Sequence, residues 1–541
     1  MFLCDASGED SPLRSSPNRP YCIKLPFRAF PWPKPRPYLF YDVTLTICST
    51  CYRKLEGKTV FQDDKVFLLK RCPDHGSEKV LIADDVDYYR RCREVFIKPP
   101  EMPLVYNTPV KWGCPYDCGL CTDHEQHSCL TLVEICDYCN LRCPVCYAES
   151  GPERQQFHTL DQIEKMLDAV VRNEGHPDVV QLSGGEPTVH PDFFEIVEMA
   201  KARPIRHLMV NTNGVRIAQE EDFVKRLAEV KEDFEVYLQF DSFERDPLMQ
   251  LGGADLRRIR EQAIEHLNRY NISTNLVVTL KKGLNDHEVG KTIDYALQQS
   301  CVRGVTFQPI QDAGRIDIDC VGTDAFVRPA DPERSEGACD SGKRTITGGS
   351  PRSFNPSTDR LTLTEIRRKI LEQTNVFKPK DVIPVPCHPD SLAMAYALKL
   401  NGKVTPLTSL IPPEVLINGA ANTILYEQEL AVREGLFKLF ATNHSPQSQA
   451  GTLRELLCCL PKVFVPDSIT YDNIFRVIIM QFIDAHSFDV RSVKKTCVHI
   501  VHPDGRLIPF DTYNLFYRDN LEQTRLAPLR RQAEAAIGAP L

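Results

Sequence analysis

The stretch Glu134-Ile135-Cys136-Asp137-Tyr138-Cys139-Asn140-Leu141-Arg142-Cys143-Pro144-Val145-Cys146-Tyr147 joins an apolar run, Leu130 to Ile135, to thiols at Cys139, Cys143 and Cys146 in a C-x3-C-x2-C spacing. The run reads as a short buried strand. Loops leaving the C-terminal ends of strands carry the sites of open α/β sheets and barrels. Three thiolates on one such loop suit an iron-sulfur cluster, because each can hold one iron while the loop wraps the cube. The motif offers no obvious fourth protein ligand, so one iron stays open. For the spacing alone, zinc is the competing reading.

A second apolar strand, Val179 to Leu182, ends in Gly184-Gly185-Glu186-Pro187. Further strands are expected at His207 to Val210, Glu235 to Phe240, Asn275 to Leu280 and Gly304 to Gln308. Helices are expected from Pro191, Asp222, Ala254 and Asp286, and an earlier one is opened by a capping box at Thr159 and Gln162. Ile163, Met166, Leu167, Val170 and Val171 make the apolar face of that first helix. Six βα repeats with near-continuous apolar strands predict a parallel sheet with right-handed crossovers, a partial (βα)6 barrel of the TIM type over 130–311. Polar residues at strand ends then become site candidates. These are Asn211, Thr212 and Asn213, then Gln239, Asp241 and Ser242, with Thr279 and Gln308 as weaker members. Helix N-capping is the competing reading for Asp241 and Ser242.

The flanks carry more thiols. Residues 1–37, rich in Pro, Ser and Arg, read as a disordered leader, with Cys4 and Cys22 at no metal spacing. Residues 38–129 read as a Cys-rich metal-binding domain. There Cys48, Cys51 and Cys72 lie on a knuckle and a returning turn, which suits tetrahedral iron or zinc, with Cys92 or His75 as the fourth ligand. Cys114, Cys118 and Cys121 repeat the C-x3-C-x2-C spacing without a preceding apolar strand. They read as ligands of an auxiliary cluster closed by Cys129 or Cys136, with structural zinc as the alternative. Residues 312–360 read as a flexible insertion containing Cys320 and Cys339. Residues 361–541 read as an α+β C-terminal domain opened by a capping box at Thr362 and Glu365. Helices are expected there at Ser391 to Leu400 and Ile474 to Ile483, followed by a hairpin turning at Asp504-Gly505. Cys387, Cys458, Cys459 and Cys497 are too far apart for spacing to group them, and buried apolar thiols are the plain reading.

The chain of 541 residues is 42% hydrophobic, enough for several cores, and its net charge of -8 argues against nucleic acid as a partner. Its 21 cysteines cluster at metal spacings with no apolar signal segment before them. That favours reduced thiols in the cytoplasm over a disulfide framework.

The thiol loop after the first strand and the GGEP turn after the second together resemble the radical SAM superfamily. The resemblance implies a 4Fe-4S cluster on catalytic Cys139, Cys143 and Cys146, whose open iron chelates S-adenosylmethionine. It places Val145 and Tyr147 beside the cofactor, Val145 standing where the family often has an aromatic. It gives Gly184, Gly185, Glu186 and Pro187 to the methionine amino group, and Asn211, Gln239, Asp241 and Ser242 to the ribose side. Cys48 to Gln311 and Lys495 to Asp519 resemble one branch, which holds archaeal tetraether lipid synthases and hydroxymethyl-dihydropterin dimethyltransferases. That branch implies auxiliary 4Fe-4S clusters and a rubredoxin-like iron. The candidates for these are Cys114, Cys118 and Cys121 with Cys136 or Cys129, Cys387 and Cys497 with Cys459 or Cys458, and Cys48, Cys51 and Cys72 with Cys92 or His75, the last set holding iron or zinc. The expected activity is reductive cleavage of S-adenosylmethionine and carbon-carbon coupling of lipid alkyl chains. Methyl transfer to a pterin precursor is the alternative, and a non-catalytic zinc-ribbon protein the third reading. A ferredoxin or flavodoxin would supply electrons, and the substrate would be a lipid or small molecule, met at the membrane surface by a cytoplasmic protein.

Overall fold

The computed structural model describes residues 36–96, 101–317, 354–385, 387–400, 402–409, 413 and 473–537. Cys4, Cys22, Cys320, Cys339, Cys458 and Cys459, and so the ligand expected at Cys459, lie outside the described residues.

The chain first forms a four-stranded antiparallel meander, β1 (Leu39–Ile47), β2 (Lys54–Gln62), β3 (Lys65–Cys72) and β4 (Gly76–Ala83), in sequence order. Asp63 and Asp64 both take positive φ, at 53° and 56°, which is the backbone a tight two-residue hairpin between β2 and β3 requires. A helix, Val86–Glu94, follows, capped by the Asp85 carboxylate.

All six expected barrel strands are present: β5 (Leu130–Cys136), β7 (Val179–Gly184), β8 (His207–Thr212), β9 (Phe234–Gln239), β10 (Thr274–Leu280) and β11 (Val302–Pro309). Neighbours in this series pair in parallel. Helices Leu160–Glu174, Phe193–Lys201, Glu221–Glu229, Arg257–Tyr270 and Val289–Gln298 fill the crossovers, and the capping boxes at Thr159 and Thr362 both form. Two short strands, β6 (Val145–Cys146) and β12 (Arg315–Ile316), pair with each other outside the main sheet.

The C-terminal segment contributes to the barrel itself. The stretches expected as helices at 391–400 and 474–483 are strands, β14 (Leu392–Leu400) and β16 (Ile474–Met480). Strand β16 pairs in parallel with β11, and β17 (Val498–Val501) pairs in parallel with β5 on the far edge. Eight parallel strands therefore run side by side from β16 to β17, flanked by antiparallel β14 and by β18 (Leu507–Pro509), while β13 (Ile383–Pro384) and β15 (Lys403–Pro406) pair with β14. A strand buried on both faces shows no polar alternation, so its apolar run is indistinguishable from a buried helix by periodicity.

The parallel strands present two faces. Val180, Leu182, Val210, Val236, Leu238, Leu276, Val278 and Phe307 meet the helices in one continuous core. The opposite face carries Met209, Tyr237, Val277, Ile478 and Met480 in a second core shared with the C-terminal segment. At the start of the strands this inner face holds a charged cluster. Arg476 Nη2 donates to Glu235 Oε1 at 2.6 Å, and His207 Nε2 lies 3.3 Å from Glu235 Oε2. Burial alone would raise Glu235, but Arg476 and His207 hold it down at about 2.

Candidate active site and metal centres

The C-terminal ends of β5 and β7 bring the thiol loop and the GGEP turn into backbone contact. The Gly185 N–H donates to the Cys136 carbonyl at 2.7 Å and the Glu186 N–H to the Tyr138 carbonyl at 2.8 Å. A side chain at Gly185 would put its Cβ 2.0 Å from the Tyr138 carbonyl oxygen, and one at Gly184 would lie 2.2 Å from that of Cys136. Only glycine allows this approach.

Glu186 is buried, and its carboxylate is fully engaged. Oε1 accepts from Thr188 Oγ1 at 2.6 Å and Thr212 Oγ1 at 2.7 Å, and Oε2 accepts from the Asn213 N–H at 2.7 Å. It thus ties the end of β7 to the end of β8, where the resemblance had given it the methionine ammonium. Burial raises its pKa against these donors.

Cys139 is buried beside Leu141, Val215, Ala254 and Leu256, while Cys143 and Cys146 are half-buried. The Leu141 N–H donates to Cys139 Sγ at 3.4 Å and Asn213 Nδ2 at 3.9 Å. Burial pushes Cys143 up to about 12, assisted by Cys146 and opposed by Arg315. A bare Cys143 thiol therefore stays protonated, and a cationic cluster is what would release its proton. Three uncrosslinked thiols, amide donors to sulfur and a glycine cradle fit a cluster held at three corners.

The other candidates fall in two groups. Val145 packs against Leu251, Ile310 and Phe354, so its apolar contact is made by the protein's own side chains. Tyr147 OH lies 3.0 Å from Ser183 Oγ, and Asn211 Nδ2 donates to the same oxygen at 3.4 Å. Gln239 Nε2 donates to Thr279 Oγ1 at 2.9 Å and to Asp241 Oδ1 at 2.6 Å. Gln308 Nε2 donates to Tyr237 OH at 3.0 Å. Asn211, Gln239, Thr279 and Gln308 are half-buried at the strand ends and line the mouth of the inner face. Asp241 and Ser242 turn into the protein instead. Asp241, at φ 62°, accepts from the Thr279 N–H at 2.9 Å, and Ser242 Oγ donates to Glu288.

A further group at this mouth carried no sequence signal. Glu134 on β5 is buried and forms a two-pronged pair with Arg518, at 3.1 and 2.8 Å. The Arg518 guanidinium also stands 5.6 Å from the Tyr147 ring and 5.1 Å from that of Tyr513. The partners are separated by most of the chain, so no spacing rule could have joined them.

The knuckle of the N-terminal module gathers Cys48, Cys51, Cys72 and His75, whose donor atoms all lie within 4.8 Å of one another. His75 Nδ1 is 3.4 Å from Cys72 Sγ and 3.6 Å from Cys48 Sγ. Cys92 does not join them. Its helix carries it into the core beside Tyr88, and burial pushes it up to about 12. His75 follows directly on the β3–β4 turn, which is why it reaches the site.

Cys114, Cys118 and Cys121 sit on a loop tightened by Asp117, whose Oδ2 accepts from the N–H groups of Lys111 at 2.6 Å and Gly113 at 2.8 Å. Burial raises Cys118 well above its usual range, and neighbouring Cys114 and Cys121 add to the effect. The ligand expected from Cys136 is directed elsewhere: its thiol faces the carbonyls of Tyr138 and Glu186, each at 3.5 Å, at the end of β5. Cys129 lies with Cys387 and Cys497, all buried and within 4.8 Å of one another, Cys387 and Cys497 being 3.1 Å apart. The geometry thus groups Cys387 and Cys497 with Cys129, a partner that neither spacing nor resemblance had named.

The radical SAM superfamily profile matches residues 133–296, and a profile described as the HMPTM N-terminal zinc ribbon domain matches residues 40–84. The chain thus carries a radical SAM domain behind an N-terminal zinc ribbon, and it is an enzyme. Its cofactors are S-adenosylmethionine and a 4Fe-4S cluster, and it needs a source of electrons. Among its relatives is a 7,8-dihydro-6-hydroxymethylpterin dimethyltransferase of Methanocaldococcus jannaschii, 28% identical over 506 residues that cover 90% of this chain and 96% of the relative. A GTP 3',8-cyclase of Chlorobaculum tepidum is 31% identical over 33% of this chain, which spans only 54% of that relative. Among solved structures, Streptococcus suis SuiB bound to S-adenosylmethionine aligns at 16% identity with a TM-score of 0.31, over 36% of this chain and 43% of that one. No helix among the described residues is long and apolar enough to cross a membrane.

Proposed function

We propose that the protein transfers methyl groups to a pterin-type precursor, using S-adenosylmethionine cleaved at the loop of Cys139, Cys143 and Cys146. The observation that carries this reading is the near full-length relationship to a pterin dimethyltransferase. The mouth of the inner face agrees with it. Asn211, Gln239 and Gln308 present neutral amides beside Thr279 and Tyr147, a set that suits the alternating donors and acceptors along a reduced pterin edge. Alkyl chains laid there would desolvate this polar mouth and offer its amides nothing to hydrogen-bond with beyond the partners they already have. Lipid coupling, the leading expectation from the resemblance, therefore becomes the second reading.

A bound cluster with one open iron supplies the electron that cleaves the sulfonium. The chain's own part is to seat that cluster and orient the donor. Gly184 and Gly185 let the turn close against the thiol loop, Glu186 fixes the turn to β8, and Tyr147 and Asn211 meet at Ser183 over the barrel interior. Within the same reading, a ferredoxin or flavodoxin delivers the electron in the cytoplasm, and the trio of Cys129, Cys387 and Cys497 and the loop of Cys114, Cys118 and Cys121 hold further metal centres.

The test is deoxyadenosine release by the anaerobically reconstituted enzyme. A 6-hydroxymethyl-dihydropterin should stimulate it at least about tenfold over long-chain phospholipid. Stimulation by phospholipid alone would overturn the assignment and restore the lipid reading.

A further inference from the structure

After β11 the chain turns back, and residues Asp312 to Asp317 lie as a strap across the thiol loop. Arg315 pairs with Cys146 and Ile316 with Val145, and the Asp317 N–H donates to the Pro144 carbonyl at 2.9 Å. The far end is fixed as well. The Asp312 N–H donates to Asp484 Oδ2 at 3.2 Å, and its carboxylate lies 3.3 Å from His486 Nε2.

Arg315 is only 8% exposed. Its Nε donates to the Cys143 carbonyl at 2.8 Å and its Nη2 to the Ser150 carbonyl at 2.6 Å, so one planar group joins both arms of the loop. Among the described residues the nearest carboxylate oxygen, on Glu153, is 3.9 Å away on a half-exposed side chain already paired with Arg142. A buried guanidinium that spends its donors on backbone carbonyls fixes geometry more than it balances charge. Gly314 makes the approach possible. It has φ +66°, and a Cβ there would lie 2.4 Å from the Cys146 carbonyl oxygen.

We propose that Arg315 is a positioning residue for the cluster: by bridging the Cys143 and Ser150 carbonyls it holds Cys139, Cys143 and Cys146 as a preformed tripod. The inference rests on reading those three thiols as cluster ligands, and it assigns the strap a role outside the C-x3-C-x2-C motif.

The test compares Arg315→Gln, Arg315→Lys and Gly314→Ala in the full chain. Amide hydrogen exchange over 139–151 should quicken about tenfold or more in Arg315→Gln, with β7 to β10 unchanged. Lysine offers its donors from one nitrogen in place of the rigid fork, so Arg315→Lys should stay well short of wild-type protection. After anaerobic reconstitution, iron should pass to a chelator about tenfold faster than from the wild type, the low end of what lost outer contacts to metal ligands cause. Wild-type exchange and iron retention in Arg315→Gln, or full protection in Arg315→Lys, would overturn the proposal. Should Arg315→Gln fail to fold, Gly314→Ala carries the same expectation, and an unaltered loop in that folded variant overturns it. Wild-type protein that takes up no iron at this loop would sink the cluster reading, while the exchange comparison still decides the strap.

Discussion

The N-terminal knuckle and the loop after β5 are both built from closely spaced cysteines, yet they present opposite kinds of site. In the knuckle, three thiols and His75 converge within 4.8 Å on one another, a closed set of four donors. The loop offers three thiols, and its remaining neighbours are backbone groups, Asn213 and the glycine cradle. Closed tetrahedral sites hold structure, and sites with a free position do chemistry. What separates the two is the tertiary frame, since a hairpin turn delivers a fourth donor to one and the ends of parallel strands set the other beside the Gly184–Gly185 turn.

The comparison breaks most sharply at Cys143. Cys143→Ala should reduce deoxyadenosine formation to background while circular dichroism and barrel exchange stay unchanged; retained cleavage would mean the open site lies elsewhere. The mirror substitution, Cys72→Ser, should lose one metal per chain and lower the melting temperature by about 5 °C or more, leaving cleavage by the folded fraction close to wild type. Equal loss of cleavage in both variants would show that the two sites are not separate in kind.

Glu186→Gln sharpens the contrast by loosening the frame and sparing the thiols. In either orientation the new NH2 would face a backbone donor, the Asn213 N–H on one side or the Thr188 N–H on the other, at about 1–3 kcal/mol. Affinity for S-adenosylmethionine should fall about tenfold, measured by equilibrium binding to the reconstituted enzyme, with iron content unchanged.

The smallest expected effect concerns the seam between the two regions. His486 reaches Glu78 of β4 at 2.6 Å and Asp312 at 3.3 Å. Burial alone would lower it, but those carboxylates outweigh burial and raise it from 6.5 to about 9. A group raised on folding stabilises fully below its unfolded value, and the gain is lost as pH climbs through the folded one. Stability should therefore decline between about pH 6.5 and 9 by on the order of 2 kcal/mol, and His486→Asn should flatten that part of the profile in denaturant titrations.

Much of the barrel was legible from the chain. Strands such as Val179–Gly184 are unbroken apolar runs between turn residues, and Thr159 and Thr362 announce their helices by capping chemistry that is purely local. The strand at Leu392–Leu400 was not legible because Leu, Ala and Met favour helices, and the one at Ile474–Met480 because its burial removes the alternation that marks a strand, despite its β-branched residues. The thiol loop could be read because its ligands are neighbours in sequence. Cys129 with Cys387 and Cys497, and Glu134 with Arg518, could not, since each depends on where distant segments land, while between His75 and Cys92, both candidates from the sequence, only the fold could choose.

Because β16 closes one margin of the parallel series and β17 the other, neither edge of the barrel is covered until the last part of the chain has been made. A nascent chain halted before Ile474 would expose the open flanks of both β5 and β11, each an inviting template for aggregation. Removing the segment from Ile474 onward would therefore strip both margins of the parallel series at once.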